Sequence, residues 1–188
     1  MRAATNSPAS LELLISAAAS IVMASARRQD LIRLVTTDGF DSGFANGHVH
    51  GEAIMEHLAS VPAAREDTFD AVLDRLVRSS PGGALIAVVA DLDAATRDRL
   101  LRLRQRFGSV TVVQFEPASW DPLVTPGAAG VSRDGVLHIR QPGSFADVWN
   151  ASMRTARSGR RRPPGRHQPV ADQDADEDRW ARHARIRP

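Results

Sequence analysis

The sequence contains no lysine, no cysteine and no tyrosine, and each absence removes a class of chemistry. Without lysine the protein has no phosphate-loop lysine, no Schiff base and no pyridoxal anchor, and without cysteine it has no thiol nucleophile, disulfide or thiolate metal site. The glycines form neither a phosphate-binding loop nor a dinucleotide-binding motif, and Gly-x-Ser-x-Gly is also missing. Enzymes that depend on any of these groups are therefore excluded.

The positive charge is carried by arginine alone and is concentrated at the end of the chain. All 24 basic residues are Arg, of which 15 lie in residues 1–156 beside 17 acids, while residues 157–188 hold nine beside five acids. With 188 residues and 43% hydrophobic content, the chain has room for one domain with its own core and for a tail. We predict a folded domain over residues 1–156 and a disordered tail, Arg/Pro-rich and acidic, over residues 157–188.

A basic tail can bind nucleic acid or an anionic surface through charge alone. Here an acidic run at residues 172–178 and several prolines accompany the arginines, and no series of aromatic side chains is present to stack on bases. We therefore expect a solvated tail and no nucleic-acid partner. A binder of nucleic acid or anionic surfaces that works through this tail is an alternative hypothesis.

Unbroken apolar runs alternate with helical patterns along residues 1–156. The run at residues 84–90 predicts a strand covered on both faces, at the centre of the fold, and residues 110–115 predict a second strand. Apolar residues at helical spacing predict helices at residues 69–77 and 94–107. The predicted fold class is therefore α/β, with three layers in which a mostly parallel sheet is flanked by helices.

The remaining segments complete this pattern. They predict a helix at residues 11–26, a short strand at 31–35, a loop at 36–51, a helix at 52–59, an edge strand at 136–139 and a last helix that ends near residue 156. For the first helix a cleaved signal peptide is the alternative, because Arg2 precedes the apolar residues 13–23 and small residues follow them. That apolar run is too short to span a bilayer.

Two acids, Asp91 and Asp93, follow the first predicted parallel strand directly. In an open parallel sheet the carboxyl ends of the strands form the ligand-binding edge, so these carboxylates lie where a site would be. They could help to hold a hard divalent cation such as Mg²⁺. Alternatively, Asp93 caps the helix at residues 94–107 by accepting hydrogen bonds from its first backbone N–H groups.

The histidines near residue 50 belong to the one cluster that has the ligand types of a zinc or iron site. The cluster comprises His48, His50, Glu52, Glu56 and His57. Its spacing fits no standard metal motif, and the His-Glu-x-x-His pattern is absent. Solvated imidazoles in a glycine-rich loop are therefore the favoured interpretation, with a metal site as the alternative.

Five short segments occur in the order found in a known bacterial family. They are Glu12-x-x-x-Ser16-Ala17-Ala18-Ala19-Ser20-Ile21, Arg33-Leu34-Val35-Thr36, His57-Leu58-Ala59, the apolar run at 85–89 and Asp147-Val148-Trp149-Asn150. In this pattern residues 10–155 resemble the C-terminal part of the bacterial family called domain of unknown function fifty-eight, most closely its actinobacterial members. The arginine-only, alanine-rich composition suits a high-GC genome.

The resemblance implies a von Willebrand factor A-like, Rossmann-like domain in proteins that are usually anchored by N-terminal membrane helices and encoded beside MoxR-type AAA ATPases. It implies an interaction or adaptor function in the assembly of envelope proteins or complexes, with such an ATPase as the partner and no small-molecule substrate evident. In these domains a metal ion, Mg²⁺ in the complete domain, sits on an Asp-x-Ser-x-Ser loop with a Thr and an Asp from later loops. Thr68 and Asp91 are the nearest positional matches here.

The sequence departs from this family in one respect. Asp-x-Ser-x-Ser occurs nowhere, because the chain begins at the helix that should follow the strand carrying that loop. That strand lies in the middle of the family's sheet, so its absence leaves the domain incomplete and its neighbouring strands without a partner. Our hypothesis is a fragment or a gene model that starts too late, with the metal loop and membrane helices upstream. The chain itself is predicted to be cytoplasmic.

The function predicted from the sequence is that of an interaction or adaptor domain and not of an enzyme. The alternative from a different class is a hydrolase that uses Asp91 or Asp93 at the strand ends. The two are distinguished by whether His48, His50 or Thr68 converges on these acids within hydrogen-bonding distance.

Overall fold

The computed structural model describes residues 8–62, 68–78, 82–90, 92–127, 130–131 and 135–159. The helices are α1 Pro8–Arg27, α2 His48–Leu58, α3 Thr68–Arg78, α4 Ala94–Arg102 and α5 Phe145–Gly159, and the strands are β1 Ala84–Ala90, β2 Ser109–Phe115, β3 Gly130–Val131 and β4 Val136–Ile139. Short 3-10 turns follow α4 at Leu103–Gln105 and β2 at Pro117–Ser119. The chain divides into one unit at Met1–Arg154 and another at Thr155–Pro188, and most of the predicted tail lies outside the described residues.

Within the described ranges, three parallel strands and one short antiparallel strand form the sheet. The strand order is β1-β2-β4-β3, in which β2 runs parallel to both β1 and β4, and β3 runs antiparallel to β4. Helix α4 connects β1 to β2, since parallel neighbours need a crossover between them. The predicted α/β class with a mostly parallel sheet flanked by helices is confirmed. The strand predicted at residues 136–139 is also present, but it lies inside the sheet and not at its edge.

β2, and not β1, is the buried centre of the sheet. From Val110 to Phe115 every residue of β2 except Thr111 is buried, whereas in β1 only Val89 is buried. The strand predicted at residues 84–90 is confirmed, and its side chains contact the apolar clusters on both faces, with Val89 in one and Val88 against the other. The prediction that it is the central strand is wrong. The reason is that β1 is the first strand in the order and has a neighbour on one side only.

Two apolar clusters cover the two faces of the sheet. On one face Val112 of β2 packs with Leu73 of α3 and Leu100 of α4. On the other face Phe115 of β2 packs with Ala17 of α1 and with residues of α5. Alternate β2 residues serve opposite clusters because successive side chains of a strand point to opposite faces. The confirmed helices therefore lie in layers on both sides of the strands.

A third apolar cluster joins α1 to α2. It contains Val22 of α1 with Ile54 and Leu58 of α2. The two helices approach closely because position 51 has no side chain: a Cβ built on Gly51 would lie 3.1 Å from the Ala26 Cβ. This contact explains why α2 contains an interior glycine, which ordinarily lowers helix stability by about 1 kcal/mol.

Residues 31–35 do not form the predicted strand. Two isolated bridges, Ile32 with Ala45 and Val35 with Asp41, fold residues 31–45 back on themselves. We call this segment the arm. Arg33, in the middle of the predicted strand, makes a bidentate pair with Asp41 at 2.6 and 2.8 Å. The prediction is wrong because this run pairs locally within the arm and not with a long neighbouring strand.

Helix α2 begins at His48 and not at residue 52, so the predicted loop ends sooner than expected. Gly47 is the residue before the helix, with φ 87° and ψ 176°. Because a residue with a side chain rarely adopts this conformation, the glycine that suggested a loop in fact starts the helix.

Helix α1 is longer than the apolar run that predicted it. Its 20 residues contain an 18-residue window of mean hydropathy 1.7, so within the described part of the chain it is the one helix long and apolar enough to cross a membrane. The prediction that the run is too short to span a bilayer is therefore wrong on length. A core helix and a signal sequence meet the same criterion, and 22% of the window is buried in this fold.

Candidate functional site

The parallel strands β1, β2 and β4 all end at the same edge of the sheet. The register places Val89, Gln114 and His138 side by side near that edge. Because alternate residues of a strand share a face, Glu116 and Arg140 continue the row formed by Gln114 and His138. Polar side chains of two neighbouring strands thus meet at the carboxyl edge, where open α/β sheets bind ligands. We call these four residues the edge cluster.

Glu116 is the centre of the edge cluster. Its Oε1 accepts a hydrogen bond from His138 Nδ1 at 2.7 Å, and its Oε2 accepts one from Arg140 Nε at 2.7 Å. Partial burial raises the pKa of Glu116, but the hydrogen bonds from Arg140 and His138 outweigh it, so the pKa lies below its ordinary value. Glu116 is therefore an ionised carboxylate at neutral pH.

The imidazole of His138 is held in one orientation by this contact. An ionised carboxylate only accepts hydrogen bonds, so Nδ1 carries the proton and Nε2 of the neutral ring is an acceptor. A carboxylate behind an imidazole is the arrangement that orients a general base or a metal-binding histidine. The His138 side chain is 18% exposed and is therefore partly buried at this edge.

Gln114 lies beside His138 and carries a buried amide oxygen. The residue is only 6% exposed, and its Oε1 has no hydrogen-bond partner among the described residues. Leaving such a group buried and unpaired costs roughly 1 to 3 kcal/mol. The oxygen could accept a hydrogen bond from an N–H or O–H group of a ligand at this edge.

An open groove of about 610 Å³ lies on the α1 side of the same edge. Its lining comes from the first half of α1 and from the segments that follow β2 and β4, and includes Glu12, Leu13, Ser16, Trp120, Pro122 and Pro142. We call it the α1 groove. Leu13 and Trp120 also belong to the apolar cluster on this face, so the groove is continuous with the core.

The structure places the predicted metal residues only in part. Asp91 lies outside the described residues, and Thr68 is the first residue of α3, where the backbone alone is described. The metal site at Asp91 and Thr68 stays a prediction. Within the described ranges no group of three or more His, Asp or Glu side chains could hold a metal ion.

Asp93 is the N-cap of α4, as one of its two interpretations predicted. Its Oδ1 accepts a hydrogen bond from the Thr96 backbone N–H at 2.8 Å, and its Oδ2 accepts one from the Thr96 hydroxyl at 2.8 Å. The carboxylate therefore satisfies a backbone donor that the helix itself leaves unpaired.

The predicted cluster of histidines does not converge on one point. His48 Nε2 lies 3.0 Å from Glu52 Oε1 on the surface of α2, and His50 Nε2 lies 3.1 Å from the carbonyl oxygen of Ile32. Because these residues occupy a helix and not a loop, their side chains project in different directions. The contacts of His48 and His50 are thus with α2 and the arm, and not with Asp93.

His57 of α2 contacts three residues of the arm. Its ring stacks on Phe40 with centroids 3.7 Å apart, and its Nε2 lies 3.4 Å from Asp38 Oδ2 and 3.3 Å from Thr36 Oγ1. Partial burial raises the pKa of Asp38, while hydrogen bonds from the Thr36 hydroxyl and the Phe40 N–H lower it. The lowering effects together are larger, so the pKa lies below its ordinary value. These contacts are structural, since they hold the arm in place.

The edge cluster is absent from the predictions made from the sequence. Glu116 and His138 are 22 residues apart, and Glu116 and Arg140 are 24 apart, so no local motif joins them. A usable signal was nevertheless present: polar residues follow the apolar parts of two predicted strands, and parallel strands would bring them to one edge.

Comparisons with family models, with curated proteins and with solved structures each find no match for this chain. The resemblance stated from the sequence therefore stays a prediction, and the function is argued from the site.

Proposed function

We propose that this protein is an interaction module that binds a partner protein in the α1 groove. The observation that carries the proposal is the form of this groove, which is open and lined mostly by apolar residues. A small-molecule site typically encloses its ligand and surrounds it with a few converging polar groups. An open apolar groove instead suits a helix or an extended segment of another protein.

The lining of the groove has the composition of a protein interface. Trp120, Pro122 and Pro142 supply apolar surface, while Glu12 adds a negative charge at the rim. Interfaces commonly combine an aromatic, apolar centre with a polar rim. The rigid rings of tryptophan and proline also lose little conformational freedom when a partner binds.

The resemblance of residues 10–155 to domain of unknown function fifty-eight supports the same class of function. It suggests a MoxR-type AAA ATPase as the partner, in the assembly of envelope proteins or complexes. The module would work in the cytoplasm, and Mg²⁺ held by Thr68 and Asp91 would contribute to partner binding as it does in von Willebrand factor A-like domains.

The proposal is tested by filling the groove. The purified full chain is immobilised, and binding of a MoxR-type ATPase from the same genome is followed by biolayer interferometry with ATP and Mg²⁺. Ser16→Trp places a large side chain in the groove and is expected to weaken binding roughly tenfold or more, a change of about 1.4 kcal/mol. Ser20→Trp is the matched control, because Ser20 lies one turn further along α1, is exposed, and does not line the groove.

Equal weakening by both tryptophan variants, or by neither, would show that the groove is not the binding surface. Absence of binding by the unmodified chain would reject this class of ATPase as the partner. The role of Mg²⁺ is tested by titrating Mg²⁺ in the same assay without nucleotide, where Asp91→Ala should remove the increase in binding that the metal gives to the unmodified chain.

A second candidate function is hydrolysis, and the contact between Glu116 and His138 is the observation that favours it. His138 Nε2 could take a proton from a water molecule, while the carboxylate stabilises the imidazolium that forms. This differs from the hydrolase predicted from the sequence, since Asp93 is engaged in capping α4. If an ester or phosphoester substrate is turned over, His138→Gln should remove the activity and Asp93→Asn should preserve it.

A further inference from the structure

The outer edge of β1 is open. β1 pairs with β2 along all seven of its residues, and no described residue pairs with its other side. In a strand, half of the backbone N–H and C=O groups point away from a single neighbour. An open edge of this kind is a template for another strand.

The side chains of β1 do nothing to protect this edge. Edge strands are usually guarded by charged residues, by proline or by a bulge. β1 consists of Ala84-Leu85-Ile86-Ala87-Val88-Val89-Ala90, with neither a charge nor a proline, and it pairs with β2 without a bulge. Ile86 remains 36% exposed. The strand therefore has the composition of an interior strand at the position of an edge strand.

The sizes of its side chains are symmetric about Ala87. Alanine occupies the first, middle and last positions, and two large apolar residues fill each interval. If a second β1 lies antiparallel across a two-fold axis at Ala87, Ala84 faces Ala90, Leu85 faces Val89 and Ile86 faces Val88. Such a self-matching sequence is what a two-fold interface requires, because each contact occurs twice.

We propose that two copies of this chain pair through the outer edges of β1, antiparallel and centred on Ala87, to give one continuous sheet. The four described strands of each copy would then form part of one sheet with eight such strands. At a two-fold axis a charged residue would face its own copy, and β1 has none to create that repulsion. The pairing satisfies the open backbone groups and covers Ile86 at the same time.

The sequences of the segments outside the described residues contain no apolar run like that of β1. In residues 1–7, 63–67, 79–81, 128–129, 132–134 and 160–188, apolar residues never occur more than two in succession. An apolar strand of matching length within the printed sequence is therefore available from β1 or β2, and β2 already has neighbours on both sides. Among the described strands, the matching open edge is that of a second β1. The upstream strand expected from the family resemblance would compete for the same edge, and a longer chain that carries it and is monomeric would overturn the proposal.

Cysteine placed at the axis tests this geometry, because the chain has no cysteine of its own. In Ala87→Cys the two new thiols face each other, and mild oxidation of the full chain should give a covalent dimer. Ala84→Cys is the matched control from the same strand, since its two thiols would be about 20 Å apart, too far for a disulfide. The double variant with Ala84→Cys and Ala90→Cys should again form dimers, because position 84 faces position 90.

Sedimentation equilibrium of the unmodified chain gives an independent readout. We expect a species of twice the 20.3 kDa chain mass. Ile86→Lys should raise the dissociation constant at least tenfold, and Leu123→Lys, at a residue that is 92% exposed, should leave it unchanged. A monomer at all concentrations overturns the proposal. So does a dimer in which cysteines at 84 and 87 oxidise equally well.

Discussion

At the scale of single residues, Gln114 carries a polar group in a place that should be apolar. Its buried Oε1 lacks a partner among the described residues, so Gln114→Met keeps the length of the side chain and removes the unpaired oxygen. We expect the free energy of unfolding to rise by about 1 kcal/mol, measured by urea denaturation. Gln141→Met, at an exposed glutamine, is the control and should have little effect. A loss of stability in Gln114→Met would show that the amide of Gln114 makes contacts that compensate for its burial.

Asp41 gives the arm a stability that depends on pH. The hydrogen bond from Arg33 lowers the pKa of Asp41 from 3.8 to about 2. A carboxylate with a depressed pKa contributes its full stability above its unfolded value and loses it as the pH falls through the folded value. We expect Asp41→Asn to be about 1 kcal/mol less stable than the unmodified chain at neutral pH, a modest figure because the pair is partly exposed.

The same difference should shrink as the pH falls from about 4 toward 2, because the unmodified carboxylate then becomes protonated. Urea denaturation of both proteins over this range measures it. Asp30→Asn is the control: Asp30 pairs with Arg28 on the surface, with side chains 47% and 61% exposed, and little change is expected. A difference that stays constant down to pH 2 would show that the charge of Asp41 is not responsible.

The site could be predicted from the sequence only where a single segment decides the outcome. Asp93 is a cap because its position just before a helix suffices for that role. His48, His50 and His57 are close in sequence but project to different neighbours, which the spacing alone does not reveal. Glu116 and His138 show the converse, since the register of β2 and β4 joins residues that are distant along the chain.

At the scale of secondary structure, the elements that sequence patterns predicted best are those buried by a layer of the fold. β2 contains several buried residues, while β1 and α3 each contain one, Val89 and Leu73, with partly buried apolar neighbours packed against the same cluster. The local pattern and the packing therefore agree in these elements. The arm is the exception, because the pairing of Arg33 with Asp41 keeps residues 31–35 apart from the sheet. The central position of β2 also escaped prediction, since strand order depends on the whole topology.

The cap of α4 provides a prediction about this element. Asp93→Ala removes the two hydrogen bonds to Thr96 and is expected to lower the free energy of unfolding by about 1 kcal/mol, measured by urea denaturation. Asp93→Asn should retain most of the stability, because an amide oxygen can also cap a helix. Asp98→Ala, further along the same helix and exposed, is the control for removing a charge. Equal losses for Asp93→Ala and Asp98→Ala would assign the effect to charge and not to capping.

At the scale of the whole molecule, a deletion of residues 160–188 tests the prediction of a tail after the folded domain. A chain that ends at Gly159 retains α5 and is expected to unfold at the same temperature as the full chain, by circular dichroism. If the arginines of the tail bind polyanions, the full chain should be retained on heparin at low salt and the shortened chain should not. A lower unfolding temperature after the deletion would show that the predicted domain boundary is misplaced.

The close contact between Gly51 and Ala26 limits which substitutions are tolerated at position 51. A methyl group at position 51 would lie 3.1 Å from the methyl of Ala26, which is tighter than side chains normally pack. Ala26→Gly would make that room, so Gly51→Ala is acceptable mainly in a chain that already carries Ala26→Gly. The two positions, 25 residues apart in the sequence, are thus coupled: the cost of a methyl group at position 51 depends on whether position 26 carries one.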